Sequence, residues 1–221
     1  MNPDTGTPYF ELIEYIQRLF GMAIRGGQPE HILPIFTGRG RNGKSVMFNT
    51  IKAALGDLAS PIPSELLLDQ GISQSADSPS PVIMSLKGLR LAWGSETAEG
   101  RKFSIDRIKW LTGDDLLTGR NLNEKQLISF KPSHTLCLLT NDLPQAPAHD
   151  YAFWERVNTI PHKTSFVNRE PRETFERVAD TKLAELFSNK EVQSSVLAWL
   201  VEGNLKSVSY THLTLPTILR V

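Results

Sequence analysis

The chain has 221 residues, 40% of them hydrophobic, enough to bury one core of ordinary size with a small satellite lobe. Its 24 basic and 24 acidic residues cancel, which excludes a global basic field for holding nucleic acid and leaves only local patches. The single cysteine, Cys137, lies in an apolar run, which excludes a disulfide framework and fits a reducing compartment.

No apolar segment approaches the roughly 18 to 20 residues of a membrane helix. The first residues, Met-Asn-Pro-Asp-Thr-Gly, show neither a basic nor an apolar leader region. A soluble, cytoplasmic protein without membrane partners is expected.

In chain order, Tyr9, Leu12, Ile13, Ile16, Leu19, Phe20, Ala23 and Ile24 recur at helical spacing until Gly26-Gly27 stops them. Residues 32–36 form an apolar run that reads as a buried strand, with Pro34 as an objection because proline lacks a ladder donor. After a glycine-rich loop, Val46, Met47, Thr50, Ile51, Ala54 and Leu55 predict a helix closed by Gly56. Residues 69–80 turn to Asp, Gln, Ser, Gly and Pro and read as a mobile loop.

A second strand is predicted over 89–93, leading to Gly94-Ser95-Glu96. Ser104 can cap a helix carrying Ile105, Ile108 and Leu111. Residues 116–120 and 126–130 flank Asn121-Leu-Asn-Glu and predict a hairpin. A third core strand over 135–140 ends on Asn141, and amphipathic helices are expected near 174–187 and 190–203. Strands alternating with helices predict a three-layer α/β fold with a mostly parallel sheet.

The ten residues from Val208 to Thr217 look like the forward translation of a sequencing-library transposon end and adapter. Residues 207–221 are therefore expected to be a non-native tail, with native sequence continuing past Lys206. Four segments follow: a helical lead-in over 1–30, a core over 31–165, C-terminal helices over 166–206, and the tail.

Gly38-Arg-Gly-Arg-Asn-Gly-Lys44-Ser45 satisfies the G-x-x-x-x-G-K-[ST] pattern between a predicted strand and a predicted helix. Gly38, Gly40 and Gly43 would let backbone N–H groups, with Asn42 among them, turn toward nucleotide phosphates, and the helix N-terminus would face the same phosphates. Lys44 would meet the β/γ-phosphates and Ser45 would ligate Mg²⁺, so ATP and Mg²⁺ are the expected cofactors. A P-loop alone names no reaction.

Hydrolysis needs a carboxylate near the γ-phosphate, and Glu96 follows the second strand where one is wanted, as base and, with Ser45, as a candidate Mg²⁺ ligand whose contact would be weak or through water. Ser95 takes the place of the first acid in the usual acidic pair, and Glu99 is a nearby second carboxylate. Asn141 could orient the attacking water, the alternative being a turn asparagine before Pro144. Arg156 could act as an arginine finger on a neighbouring subunit, the alternative being a surface ion pair.

Five ordered motifs give a resemblance to the superfamily-3 helicase domain of phage and plasmid primase–helicases. These are the P-loop, the 86–100 run Leu-Lys-Gly-Leu-Arg-Leu-Ala-Trp-Gly-Ser-Glu-Thr-Ala-Glu-Gly, Lys109-Trp-Leu-Thr-Gly-Asp-Asp115, Leu138-Leu-Thr-Asn141 and Phe153-Trp-Glu-Arg-Val157; Phe130-Lys-Pro132 adds to them. The resemblance spans about 10–165. It implies an AAA+-like ring motor, usually hexameric, with Glu96, Asn141 and Arg156 as Walker B glutamate, sensor and finger.

It further implies that the 116–130 hairpin enters the channel, with Arg120 and Lys125 on the strand backbone. Single-stranded or forked DNA, further copies of the chain and a primase region would be the partners, in a bacterial host. Lys109 stays open between holding the nucleotide and holding the hairpin. Two rivals to an ATP-dependent helicase remain: a P-loop phosphotransferase, and a shortened chain that binds nucleotide without motor activity. No arginine-rich lid follows Glu96, which counts against the first.

Overall fold

The computed structural model describes residues 9–27, 30–71, 79–95 and 100–208. In chain order the elements are α1 (Phe10–Arg25), β1 (Leu33–Thr37), α2 (Lys44–Leu55), β2 (Ala59–Ile62), α3 (Pro81–Ser85), β3 (Leu91–Ser95), α4 (Ile105–Leu111) and the hairpin strands β4 (Leu117–Gly119) and β5 (Ile128–Phe130). Then come β6 (Thr135–Thr140), α5 (Tyr151–Trp154), β7 (Val157–Pro161), β8 (Ser165–Val167), β9 (Glu176–Val178), α6 (Leu183–Leu186) and α7 (Lys190–Val208).

Five strands form one parallel sheet in the order β2-β3-β6-β1-β7. Central strands buried on both faces need near-continuous apolar sequence, and every residue of β6 is buried. Successive side chains then alternate between two cores. Leu33, Ile35, Ala92, Leu136 and Leu138 face a cluster with Ile108 and Phe153 on one side of the sheet. Phe36, Leu91, Trp93, Cys137 and Leu139 face Tyr15, Phe20, Phe48 and Leu200 on the other. The result is the expected three-layer α/β fold.

Pro34 is accommodated by parity. The Leu33 N–H donates to the Arg156 carbonyl on the β7 side, so the missing Pro34 donor faces β6. There, pairing with β1 begins only at Ile35 opposite Leu138.

α1 packs chiefly against the last helix, α7. The buried Gln17 amide donates to the Trp199 carbonyl at 3.0 Å and to Glu202 at 3.2 Å, while its oxygen accepts from Lys206 at 3.0 Å. Beyond the sheet, Arg169 grips the buried Glu176 with two hydrogen bonds of 2.9 and 2.6 Å, and the Arg172 N–H adds a third at 2.7 Å. This carboxylate, held below its ordinary pKa chiefly by Arg169, organises the small parallel pair β8–β9.

That pair corrects the expectation of one helix over 174–187. Residues 176–178 are strand, and only Leu183–Leu186 is helical. Ion pairing at Glu176 overrides the apolar spacing. The Glu96–Glu99 stretch lies outside the described residues, as do residues 72–78 of the expected loop and 209–221 of the expected tail.

Candidate nucleotide-binding site

The carboxyl ends of parallel strands are where an α/β sheet leaves a crevice for ligands. Three neighbouring strands end there together. β1 runs into the glycine loop at Gly38, β6 runs into Asn141 beside it (Thr37 pairs with Thr140), and β3 ends at Ser95 opposite Leu139. Asn141 is exposed at this edge, and Ser45 is exposed in the first turn of α2. Glu96, which follows Ser95 directly, lies outside the described residues.

The loop conformation explains its sequence. Gly38 has φ +148 and Gly43 φ +83, and a Cβ on Gly38 would collide with the Asn42 amide and the His162 carbonyl. Gly40 differs: a Cβ there meets nothing within 4 Å. Among the described residues nothing demands glycine at that position.

Gly43 caps α2 in a left-handed conformation and no side chain caps the helix. The first-turn amides and the positive end of the helix dipole are thus left for an anion. Lys44 is 7% exposed, and its ammonium donates to the Gly38 carbonyl at 2.5 Å. Burial lowers its pKa from the usual value. The charge is folded onto the loop it would serve.

Sequence reading missed how the loop is fastened. The segment after β7 binds it three times along its length: His162 N–H to Thr37 carbonyl at 2.7 Å, Asn42 amide to His162 carbonyl at 3.5 Å, and Phe166 N–H to Arg41 carbonyl at 2.7 Å. The last of these anchors Arg41, a non-glycine residue at φ +61. Burial, with a smaller push from the Lys44 ammonium, brings the His162 ring down to about 4, so it is neutral at pH 7 beside the loop.

Next to the loop is a cavity of about 730 Å³, within the range of small-molecule sites. α2 contributes Val46 and Met47, β9 contributes Val178, and the C-terminal helices contribute Leu183, Phe187 and Trp199. Phe166 lies at 3.6 Å from where a Gly43 Cβ would be and lines the same space. The wall is therefore mostly apolar and adjoins the glycine loop. Among the described residues no group of three His, Cys, Asp or Glu side chains could hold a metal ion.

The remaining predicted residues lie elsewhere. Arg156 precedes β7, at the amino end of β1, where its carbonyl accepts from Leu33. The five residues of β1 separate it from the loop by about 15 Å. Its Nη1 meets the Ala152 carbonyl at a long 3.4 Å, and its Nε is buried with no hydrogen-bond partner. Arg120 and Lys125 sit on the β4–β5 hairpin, with Arg120 donating to the Glu124 carbonyl at 3.0 Å and Lys125 exposed. Lys109 holds neither nucleotide loop nor hairpin. It pairs with both carboxylate oxygens of Asp150 at 2.8 Å.

No protein-family model matches the chain. It is 34% identical over 154 residues to "Putative helicase L207/L206" of Acanthamoeba polyphaga mimivirus, a match covering 70% of this chain and 16% of that protein. It is 26% identical over 190 residues to "Putative primase C962R" of African swine fever virus, covering 85% of this chain and 19% of the relative. The chain thus spans under one-fifth of the length of these curated relatives. In fold it is similar to the apo C-terminal region of NrS-1, with TM-score 0.57 and 15% identity over 90% of this chain and 47% of that one. By sequence over about seven-tenths of its length, and by fold, this chain is a relative of the proteins named helicase and primase in large DNA viruses, consistent with a superfamily-3-like helicase domain.

Proposed function

We propose that the chain is the ATP-hydrolysing motor segment of a DNA-replication helicase, working on single-stranded or forked DNA as a ring of like copies, a hexamer by resemblance. The observation that carries this reading is the glycine loop at the crevice formed by β1, β3 and β6. Its helix has free first-turn amides, and its Lys44 is poised on the Gly38 carbonyl.

In this reading Gly38, Gly40, Asn42 and Gly43 shape the phosphate cradle, and Lys44 turns from Gly38 to the β/γ-phosphates. Ser45 and Glu96 would hold Mg²⁺, which would supply charge neutralisation. The apolar cavity takes the base, with Phe166 and Trp199 among its walls. Glu96 accepts a proton from water, Asn141 orients that water, and Arg156 serves a neighbouring copy's phosphate. Arg120 and Lys125 touch the nucleic-acid backbone by charge.

A primase region elsewhere in the full-length protein fits the naming of the relatives. Those relatives belong to large DNA viruses, whereas the motif resemblance points to a phage or plasmid element in a bacterial host.

The test is ATPase activity with and without single-stranded DNA, on wild type, Lys44→Ala and Glu96→Gln. DNA-stimulated turnover, lost in both variants, is expected. Turnover indifferent to Lys44→Ala would sink the reading.

A further inference from the structure

We infer that Lys109 is a positioning residue for Arg156, acting through Asp150, and so serves the phosphate site of a neighbouring copy instead of its own. This rests on the proposed role of Arg156 in trans.

Lys109 lies in the last turn of α4, and its ammonium binds both oxygens of Asp150 at 2.8 Å. The two side chains are 30% and 23% exposed, so the pair is shielded compared with an open surface bridge. Asp150 is also the N-cap of α5, accepting from the Phe153 N–H at 3.0 Å. One carboxylate therefore ties α4 to the start of α5.

α5 is a single turn, too short to hold itself. Phe153 anchors it by burial against Phe103, with ring centroids 5.3 Å apart, and the Trp154 indole donates to the Pro147 carbonyl at 2.9 Å. The turn runs on through Glu155, whose N–H donates to Tyr151, to Arg156, whose N–H donates to Phe153. Arg156 is thus fixed by the turn that Asp150 caps and Lys109 pins.

No carboxylate pairs with Arg156 among the described residues, and its own glycine loop lies at the far end of β1. An arginine held by a pinned turn, without an acidic partner and out of reach of its own loop, fits a role across an interface. The Lys109–Asp150 pair sets where that arginine points.

Subunit mixing separates this from a role in cis. Lys44→Ala leaves the finger side of an interface intact, while a finger-side defect leaves the P-loop intact. In a random equimolar mixture of the two, about one interface in four joins the sound halves. Lys109→Ala alone should lower ATPase kcat about 100-fold, as a small misplacement of a catalytic group does, with KM for ATP little changed. Lys109→Arg, which can keep a two-pronged bond to Asp150, should restore most of it.

Mixed with Lys44→Ala, Lys109→Ala should regain activity; mixed with Arg156→Ala, it should not. Asp150→Asn, which keeps a capping side chain and removes the charge, should behave like Lys109→Ala and guards against simple misfolding. If Arg156→Ala complements Lys44→Ala but neither Lys109→Ala nor Asp150→Asn does, the positioning role is overturned while the trans role of Arg156 stands. If Arg156→Ala also fails to complement, the trans reading itself falls, and this inference with it.

Discussion

Gly21 and Gly203 meet where α1 and α7 cross, each without the side chain that would keep the helices apart. A Cβ on Gly21 would overlap the backbone of Gly203 and Asn204, and one on Gly203 would overlap the Gln17 carbonyl. Backbone cannot swing aside as a flexible side chain can. Gly203→Ala is therefore expected to destabilise the fold by about 1–3 kcal/mol despite alanine's better helix propensity. Urea denaturation would measure it, and a neutral or stabilising result would contradict the crossing.

Gly38 and Gly40 should part company. Gly38→Ala faces both a positive φ and a collision with Asn42 and His162, so stability and nucleotide binding should fall together. Gly40→Ala meets open space and should leave the melting temperature within a degree or two, a shift of about 0.5 kcal/mol or less. It should still weaken binding of a nucleotide triphosphate, read by titration of a fluorescent analogue. Equal affinity for wild type and Gly40→Ala would mean that phosphates do not sit there.

Legibility in the sequence followed the strength of local signals. β1, the loop and α2 were readable because glycines at fixed spacing separate two apolar patterns, and β6 because both its faces are buried. β2 (Ala-Ser-Pro-Ile) and β7 (Val-Asn-Thr-Ile-Pro) went unread; both are edge strands, where proline and polar residues are tolerated. The 174–187 segment misled because Phe175, Val178, Leu183 and Leu186 keep helical spacing, while the fold there is set by Arg169 and Glu176. The partner of Lys109 is 41 residues distant, so no local pattern could name it. The fastening of the loop by residues 162–166 uses mostly backbone groups and leaves no side-chain signature.

Acid should unfold the chain in two windows. Desolvation lowers buried His134 and half-buried His162 to about 4, so between about 6.5 and 4 the unfolded chain binds more protons than the folded one, and stability falls as pH falls. Near pH 5, unfolding should take up about two protons from these rings. Asp150, Glu176 and Glu202 are held below the usual carboxylate range by Lys109, Arg169 and Lys206 respectively. Their contribution is present above the ordinary carboxylate pKa and is lost at lower pH, as the folded forms protonate. The slope of unfolding free energy between pH 5 and 7 checks the first window; His162→Phe should reduce it by about one proton.

Cys137 should be inert while the chain is folded. It is wholly buried in the middle of β6, and burial pushes its thiol well above the ordinary range. A thiol reagent should therefore label it only after denaturant is added. Labelling of the native chain on the timescale of seconds would show that β6 opens.

The pairing of α1 with α7 also bears on how the chain is made. Gln17 meets Glu202 across 185 residues of sequence, so the first helix leaves the ribosome long before its partner exists. At 5–20 residues per second that wait is roughly 10–40 s. Through that interval part of the apolar face of α1 is uncovered, and closure must bring together the two most distant elements of the fold. Contacts of such sequence separation slow folding, which makes the arrival of α7 the natural last step of assembly and the moment at which the cavity beside the glycine loop gains its Trp199 wall.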